Sequence, residues 1–448
     1  MRELFVNRDR ELEALEAEIR AEGLRIVLVY GRRRVGKTWL ARALLSKLGG
    51  TYVFVLEGGR VEPARSLVER LKQTCRELRP GSWESILEGL ANCATDKGGL
   101  LVVVDEFQRL GAEFVSQLQL LVDTRPEAPL KLVLLGSAVS AVERLAGVLG
   151  PLYGRSLTIR LAGFRFLEAY VYLRETLGAT PLEAFRLYAV LGGSPYNLSL
   201  ARSRDWRREA LTHIHSVYGR LYEEPIHILA SETRDLGTYT TILAAIASGR
   251  QSFSEIAHLA KRTSLIKYLE LLRSLGLVER VVPAGEDPLR TRKARYVISD
   301  PYWDYWFKMI YPRRDEAEIT GEIAIDEDLA EKHMSVWFER VARELVSRIH
   351  GVRAAPWWSK TMEIDIVAPT EEGAYVYEVK YSKLDSREAE RELNKLRVKA
   401  KALPMPVAKL RLITIEAERT GEDYEVWSFE DLVARALKKS RVGVRVID

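Results

Sequence analysis

The sequence predicts an α/β protein: a parallel sheet at the front, a helical middle, and a second, smaller α/β region at the back. Three observations predict it. Ile26 to Tyr30 is an apolar, β-branched run that ends in Gly31-Arg32-Arg33-Arg34-Val35-Gly36-Lys37-Thr38, and a helical pattern follows from Trp39 to Leu48. Leu100 to Val104 is a continuous apolar run closed by Asp105 and Glu106, the pattern of a strand buried on both faces of a parallel sheet. Residues 328–448 read as helix, three strands, helix and strand.

The chain has 448 residues, 47% hydrophobic and 29% charged, the balance of a soluble globular protein of several domains. No apolar run approaches the length needed to span a bilayer. Met-Arg-Glu leads straight into a polar helical pattern, so the expectation is a cytoplasmic protein with neither signal peptide nor membrane partner. Cys75 and Cys93 stand outside any Cys-x-x-Cys pair, which argues against a disulfide framework and a cysteine zinc site. Asn and Gln together number nine, a depletion typical of thermophile proteins. A net charge of +5 is compatible with a nucleic-acid partner and does not establish one.

In residues 1–162, strand, glycine loop and helix follow in the order a phosphate-binding loop requires. The loop amides close around phosphates, and the helix N-terminus adds partial positive charge. Gly31, Arg32, Arg33, Arg34, Val35, Gly36, Lys37 and Thr38, with Trp39 beyond them, are the candidate ATP contacts. Lys37 suits the β- and γ-phosphates, and Thr38 suits Mg²⁺. The three arginines read more readily as loop scaffold or surface charge than as a second clamp. Asp105, at a strand end, is the second candidate Mg²⁺ ligand, and Glu106 the group that polarises the attacking water. Thr51 to Val55, Lys131 to Gly136 and Ser156 to Leu161 complete the strands. Helical patterns at Pro63 to Leu78, Trp83 to Ala94 and Glu113 to Asp123 alternate with them, which places ligands at the carboxyl ends of a parallel sheet.

Phe5-Val6-Asn7-Arg8-Asp9-Arg10-Glu11-Leu12, the glycine loop, Asp105-Glu106-Phe107-Gln108, Leu135-Gly136-Ser137 and Gly150-Pro151-Leu152-Tyr153-Gly154-Arg155 together resemble the archaeal ATPases, relatives of the AAA+ and STAND proteins. The resemblance implies ATP and Mg²⁺ as cofactors, with Val6 and Arg8 on the adenine side. It implies that Ser137 is a sensor near the γ-phosphate, and that Gly193-Ser194-Pro195 is a Gly-x-Pro element whose Pro195 packs on adenine. Arg155 has two readings of equal weight. One is an arginine finger, worth roughly 10³- to 10⁵-fold where one operates; the other is a surface ion-pair residue.

Residues 163–234 read as a helical lid in which Phe166, Tyr170 and Tyr188 are core residues. Residues 235–311 read as a winged helix, with helices at Thr238 to Ala247, Phe253 to Ala260 and Ser264 to Leu275 and a ribbon at Gly276 to Val282 and Ala294 to Ile298. Lys267 and Arg273 lie on its third helix. Arg290, Arg292, Lys293 and Arg295 lie on the wing with no acid between them, a pattern suited to the phosphates of duplex DNA. A protein-contact module fits equally well. Residues 312–327 are charged and poorly periodic, and read as a linker.

Residues 328–448 open with a helix whose buried stripe is Trp337, Val341, Leu345 and Ile349. Glu339 sits at the margin of that stripe and calls for a cation or a hydrogen-bonded partner. Strands are expected at Val352 to Ala355, Met362 to Ala368, Ala374 to Tyr381 and Leu410 to Ile415, with a helix over Ser386 to Leu403. Alternation puts Glu378 and Lys380 on one face, and a suitable hairpin register brings Asp365 to Glu378. Like charges paired across a sheet are unfavourable, and an oxygen-ligated metal relieves them. The order and these residues resemble the PD-(D/E)-x-K nuclease fold. That resemblance implies Mg²⁺ or Mn²⁺ on Asp365 and Glu378, Glu339 as an outer acid, and Lys380 on the attacking water. The expected whole is a P-loop parallel-sheet ATPase with a helical lid, a winged helix and a C-terminal α/β restriction-endonuclease-like domain. Two functions fit it: an ATPase that controls a DNA nuclease, or an ATP/ADP-regulated DNA- or protein-binding switch with an inert nuclease fold. Self-association is left open.

Overall fold

The computed structural model describes residues 3–56, 63–147, 150–417, 425–440, 442 and 444–447. The chain forms two compact units. The first runs to Gly163 and the second starts at Phe164. Among the described residues, no helix is long and apolar enough to cross a membrane.

In the first unit, β1 is Glu3–Val6, β2 Arg25–Tyr30, β3 Thr51–Phe54, β4 Leu100–Asp105, β5 Leu130–Gly136 and β6 Leu157–Arg160. The last five form a parallel sheet in the order β3-β4-β5-β2-β6. Val27, Val29, Val103 and Val133 are wholly buried in it, as their unbroken apolar runs require. Helices Asp9–Arg20 and Lys37–Leu48 bury Leu12, Leu15, Leu40 and Leu44 against the same core. Burial of each such side chain contributes about 1.5–3 kcal/mol. Because β5 lies between β2 and β4, the glycine loop after β2, Asp105 at the end of β4 and Ser137 after β5 stand side by side. Helix Pro63–Leu71 stops earlier than the expected Leu78, and Cys75 beyond it is joined by a disulfide to Cys93 in helix Trp83–Asp96. This corrects the expectation that the two cysteines form no disulfide framework. The partners are 18 residues apart, a spacing that forms no motif, and only the packing of the two segments brings them together.

The second unit begins with helices Phe166–Leu177 and Pro181–Leu191. Three helices, Leu236–Ala247, Phe253–Leu259 and Ile266–Ser274, then precede the antiparallel ribbon of β7 (Val278–Val281) and β8 (Arg295–Ile298). Helix Glu327–His350 leads into β9 (Ala355–Trp358), β10 (Glu363–Thr370), β11 (Gly373–Leu384), β12 (Val407–Ala417) and β13 (Glu425–Ser428). These strands form one sheet in the order β13-β12-β11-β10-β9, antiparallel from β9 to β11 and parallel from β11 to β13. The first strand is Ala355–Trp358 rather than Val352 to Ala355. Its register is set by Trp357 opposite Ile364.

The regions expected as lid and C-terminal domain share one aromatic core. Phe338 lies 5.3 Å from Phe185 and 4.8 Å from Phe429, and Phe166 lies 5.5 Å from Phe429. The expected linker is structured. It holds helix Arg314–Thr320 and the fully buried Ile323, whose N–H donates to the His215 carbonyl at 3.0 Å. Arg313 pairs with Glu316 at 2.6 Å, Arg314 with Glu223 at 3.7 Å and Glu327 with Arg207 at 2.7 Å, so charge density there does not mean free chain. The last strand, β14 (Val444–Ile447), pairs with β1, with Leu4 opposite Val446. The chain end therefore belongs to the first unit and not to the C-terminal domain.

Candidate functional site

Gly31 and Gly36 shape the loop after β2. A Cβ on Gly31 would meet the Leu161 carbonyl oxygen at 2.3 Å, and Gly36 has φ +98°, a conformation that suits glycine. Arg34 also adopts a positive φ, +68°, the kind of backbone strain that gathers at ligand-binding loops. Lys37 is 6% exposed, and its ammonium donates to the carbonyls of Gly31 at 2.7 Å and Arg32 at 2.9 Å. Arg32 is half-buried while Arg33 and Arg34 are exposed. Trp39 packs against the sheet core, and that contact accounts for its side chain. Val6 is buried, and Arg8 donates to the carbonyls of Val35 at 3.4 Å and Ala162 at 2.5 Å and pairs with Glu11 at 3.0 Å. Arg8 thus ties the N-terminal motif to the loop.

Thr38 and Asp105 meet directly, the hydroxyl donating to Oδ2 at 2.9 Å. Tyr52 on β3 donates to the same oxygen at 2.6 Å, and the Glu106 amide donates to Oδ1 at 2.9 Å. Burial, and then Asp105, raise the Tyr52 pKa well above its ordinary value, so the phenol stays a donor. Sequence reasoning missed Tyr52, because its role depends on β3 lying beside β4. Glu106 has φ +60°, and its Oε2 accepts from Ser137 at 2.7 Å and from Gln108 at 2.5 Å. A threonine hydroxyl and a carboxylate on adjacent elements are hard oxygen donors that suit Mg²⁺, which binds few protein groups and keeps water and phosphate oxygens as its other ligands.

Arg155 makes a two-pronged ion pair with Asp123, at 2.8 and 2.9 Å. Pro195 belongs to the second unit, where it opens helix Pro195–Leu200. Its neighbour Gly193 is required by close packing, since a Cβ there would meet the Phe164 carbonyl oxygen at 2.1 Å.

In the second unit, Ile366 pairs with Tyr377, which sets Asp365 beside Glu378. The Val379 amide donates to Asp365 Oδ2 at 2.7 Å. Burial, with Glu339 and Glu378 nearby, pushes the Asp365 pKa up to about 8. Lys380 donates to Glu378 Oε1 at 2.9 Å, as expected of two residues on one face. Lys399 was not singled out from sequence, yet it holds both Glu378 oxygens, at 3.0 and 2.9 Å. Glu339 pairs with Arg343 at 3.2 Å. Among the described residues, no group of three or more His, Cys, Asp or Glu converges to hold a metal. Glu378 meets the ammonium groups of Lys380 and Lys399, and Glu339 meets the Arg343 guanidinium, so cationic side chains stand where the expected Mg²⁺ or Mn²⁺ would meet these two acids.

Three of the four cations between β7 and β8 or at the start of β8 pair with acids. Arg295 pairs with Glu363 at 2.7 Å and lies 4.2 Å above the Trp358 ring. Lys293 pairs with Glu286 at 2.6 Å and Arg290 with Asp287 at 3.5 Å. The wing loop is docked as well, Ala284 donating to the Pro356 carbonyl at 2.8 Å and sharing a core with Trp357. Acids flanking the run and an acid on β10 were invisible to a reading of the run alone.

Residues 5–201 match the model of a family described as ATPase domains predominantly from Archaea. Residues 306–392 match one described as archaeal and bacterial proteins of unknown function. An uncharacterized protein of Methanocaldococcus jannaschii is 27% identical over 419 residues, 89% of this chain and 92% of its own. Among solved structures, a Walker-type ATPase of Pyrococcus abyssi is 23% identical and is matched over 68% of this chain and 96% of its own, with a TM-score of 0.49. The Aeropyrum pernix ORC2 protein, solved with ADPNP and ADP, is 17% identical over 70% of this chain and 95% of its own, with a TM-score of 0.46.

Proposed function

We propose that the front of the chain, an ATPase domain by its family match, binds ATP with Mg²⁺ in the loop from Gly31 to Thr38 and hydrolyses it. The observation that carries this reading is the convergence of Lys37, Thr38, Asp105, Glu106 and Ser137 at the carboxyl ends of three adjacent strands. Lys37 exchanges its loop carbonyls for phosphate oxygens. Thr38 and Asp105 would hold the Mg²⁺, which when bound neutralises phosphate charge. Tyr52 and the Glu106 amide orient the Asp105 carboxylate. Glu106 is the general base, and catalysis requires that it turn an oxygen from Ser137 and Gln108 to the attacking water. A positioned base of this kind contributes about 10²- to 10⁴-fold. Calorimetric titration with Mg-ATP tests the binding half. Wild type should bind and Lys37→Ala should not, and tight binding by Lys37→Ala contradicts the assignment.

For the second unit we propose a nuclease-like fold used as a nucleotide-regulated binding module, with duplex DNA as the partner of the three-helix and ribbon segment. The ion pairs that saturate Glu378 support this reading over catalysis. The ATPase-controlled DNA nuclease remains the second reading. It is favoured by Asp365 standing beside Glu378 and Lys380 on the adjacent inner strands β10 and β11. Metal-dependent cleavage of DNA by the whole chain, abolished in Asp365→Ala, would establish the second reading and exclude the first.

A further inference from the structure

The acidic centre of the second unit is one end of an unbroken chain of alternating charges. Lys399 contacts Glu378 at 2.9 Å, Glu378 contacts Lys380 at 2.9 Å, Lys380 contacts Glu392 at 3.2 Å, and Glu392 contacts Lys395 at 2.6 Å. Two elements supply all five groups. Glu378 and Lys380 come from one face of β11, and Glu392, Lys395 and Lys399 come from one stripe of helix Ser386–Ala400 at spacings of three and four, the separations that share a helical face. The helix is fixed in place by Leu393, Leu396 and Ala400, all buried, and Leu396 shares a core with Val376 on β11. Lys399 is therefore held over Glu378 by packing, and its ammonium meets both carboxylate oxygens at once. The Glu378 side chain is only 5% exposed, so a carboxylate there needs a positive partner. A divalent ion held by Asp365 and Glu378 would need the oxygens that Lys399 already occupies.

We infer that Lys399 is a built-in cation that occupies the metal position of this nuclease-like centre and excludes divalent ions from it. The inference rests on reading the second unit as a nuclease-like fold with a self-neutralised centre. Lys399 is a blocking residue, and the expected variant phenotype is a gain: removing its ammonium leaves Lys380 on Glu378 Oε1 but frees Oε2 beside Asp365, and a free carboxylate oxygen next to a second carboxyl group is what a divalent ion binds.

The test is Mn²⁺ titration of the full chain, followed by calorimetry and by the electron paramagnetic resonance signal of free Mn²⁺, with nucleotide absent. Lys399→Ala should bind Mn²⁺ at least about tenfold more tightly than wild type, since a charge-assisted pair no longer competes. Lys399→Arg should behave as wild type, and Lys399→Ala combined with Asp365→Asn should lose the gain. Thermal melting and ATP affinity of each variant check that both units are folded. Equal Mn²⁺ affinity of folded wild type and Lys399→Ala overturns the inference, as does a gain that persists without Asp365. Failure of the binding-module reading looks different: it appears as Mn²⁺-dependent DNA cleavage by the wild-type chain, whichever variant binds the metal better.

Discussion

At the scale of single residues, the sequence pattern and the structure agree where chemistry is carried by a local string and part where it is carried by a neighbour. Lys37 and Thr38 are legible because strand, glycine loop and helix are contiguous. Tyr52 is not, because its hydroxyl reaches Asp105 across a strand order that periodicity does not encode. Arg155 pairs with Asp123, a partner that lies outside its own sequence motif. His215 had no reading from sequence at all. It is fully buried, its Nδ1 lying 2.8 Å from the Ile323 carbonyl and its Nε2 2.8 Å from the Tyr305 hydroxyl. A carbonyl only accepts, so Nδ1 carries the proton and Nε2 accepts from the phenol. This arrangement needs a neutral ring. Burial accordingly lowers its pKa to about 4 against the ordinary 6.5, despite the Ile323 hydrogen bond. The unfolded chain takes up this proton below its ordinary pKa, while the folded chain resists until about 4. Stability from this group is therefore present at neutral pH and is lost as pH falls from 6.5 toward 4, by up to about 3 kcal/mol. Thermal melts of wild type and His215→Gln between neutral and acid pH check this. The variant should melt lower at neutral pH and decline less on acidification, and parallel declines would contradict the assignment.

At the scale of elements, most strands and helices were visible as runs, and the errors came from partners outside the run. In sequence, the run Arg290 to Arg295, which no acid interrupts, reads equally as a phosphate-facing wing and as a protein contact. In the fold, Arg295 is directed to Glu363 and Trp358, so it braces the wing against β10 and β9. Arg290, Arg292 and Lys293 are the exposed members, and the surface pairs of Arg290 and Lys293, at 89% and 62% of the side chain, are of a kind that yields readily to a phosphate. If the segment binds duplex DNA as proposed, replacing Arg290, Arg292 and Lys293 with Ala should flatten the salt dependence of binding by roughly two to three log units per log unit of salt. Arg295→Ala should leave that slope unchanged and lower the melting temperature instead. An equal flattening from Arg295→Ala would place it on the DNA and refute the brace. The expected linker is structured for the same reason: Arg313 pairs with Glu316, Arg314 reaches Glu223 and Glu327 reaches Arg207, and two buried residues, Ala317 and Ile323, anchor it.

At the scale of the whole molecule, the order of most strands and helices along the chain is legible and the limits of the bodies they pack into are not. Phe166, Phe185, Phe338 and Phe429 come from segments far apart in sequence and meet in one core, so no composition shift marks where a lid ends and a C-terminal domain begins. Helix Pro301–Met309 shows the same limit. Trp303, Tyr305 and Trp306 are buried all round, and Asp304 among them is balanced by Lys308 at 2.7 Å and by the Trp337 indole at 2.7 Å. Burial alone would raise the Asp304 pKa, but Lys308 and His333 hold it well below the usual range. A helix apolar on every side has no periodic stripe to read. The first unit, by contrast, brings together Lys37, Thr38, Asp105, Glu106 and Ser137, all singled out from sequence, and adds Tyr52 through its strand order. Its central claim is that Glu106, held in a left-handed conformation by the turn after β4 and tied to Ser137, is the base for ATP hydrolysis. The most direct test is steady-state ATP turnover by Glu106→Gln, measured beside its nucleotide affinity. Affinity should stay within about twofold of wild type while turnover falls by about 100-fold or more. Retained turnover in a variant that still binds ATP would contradict the account.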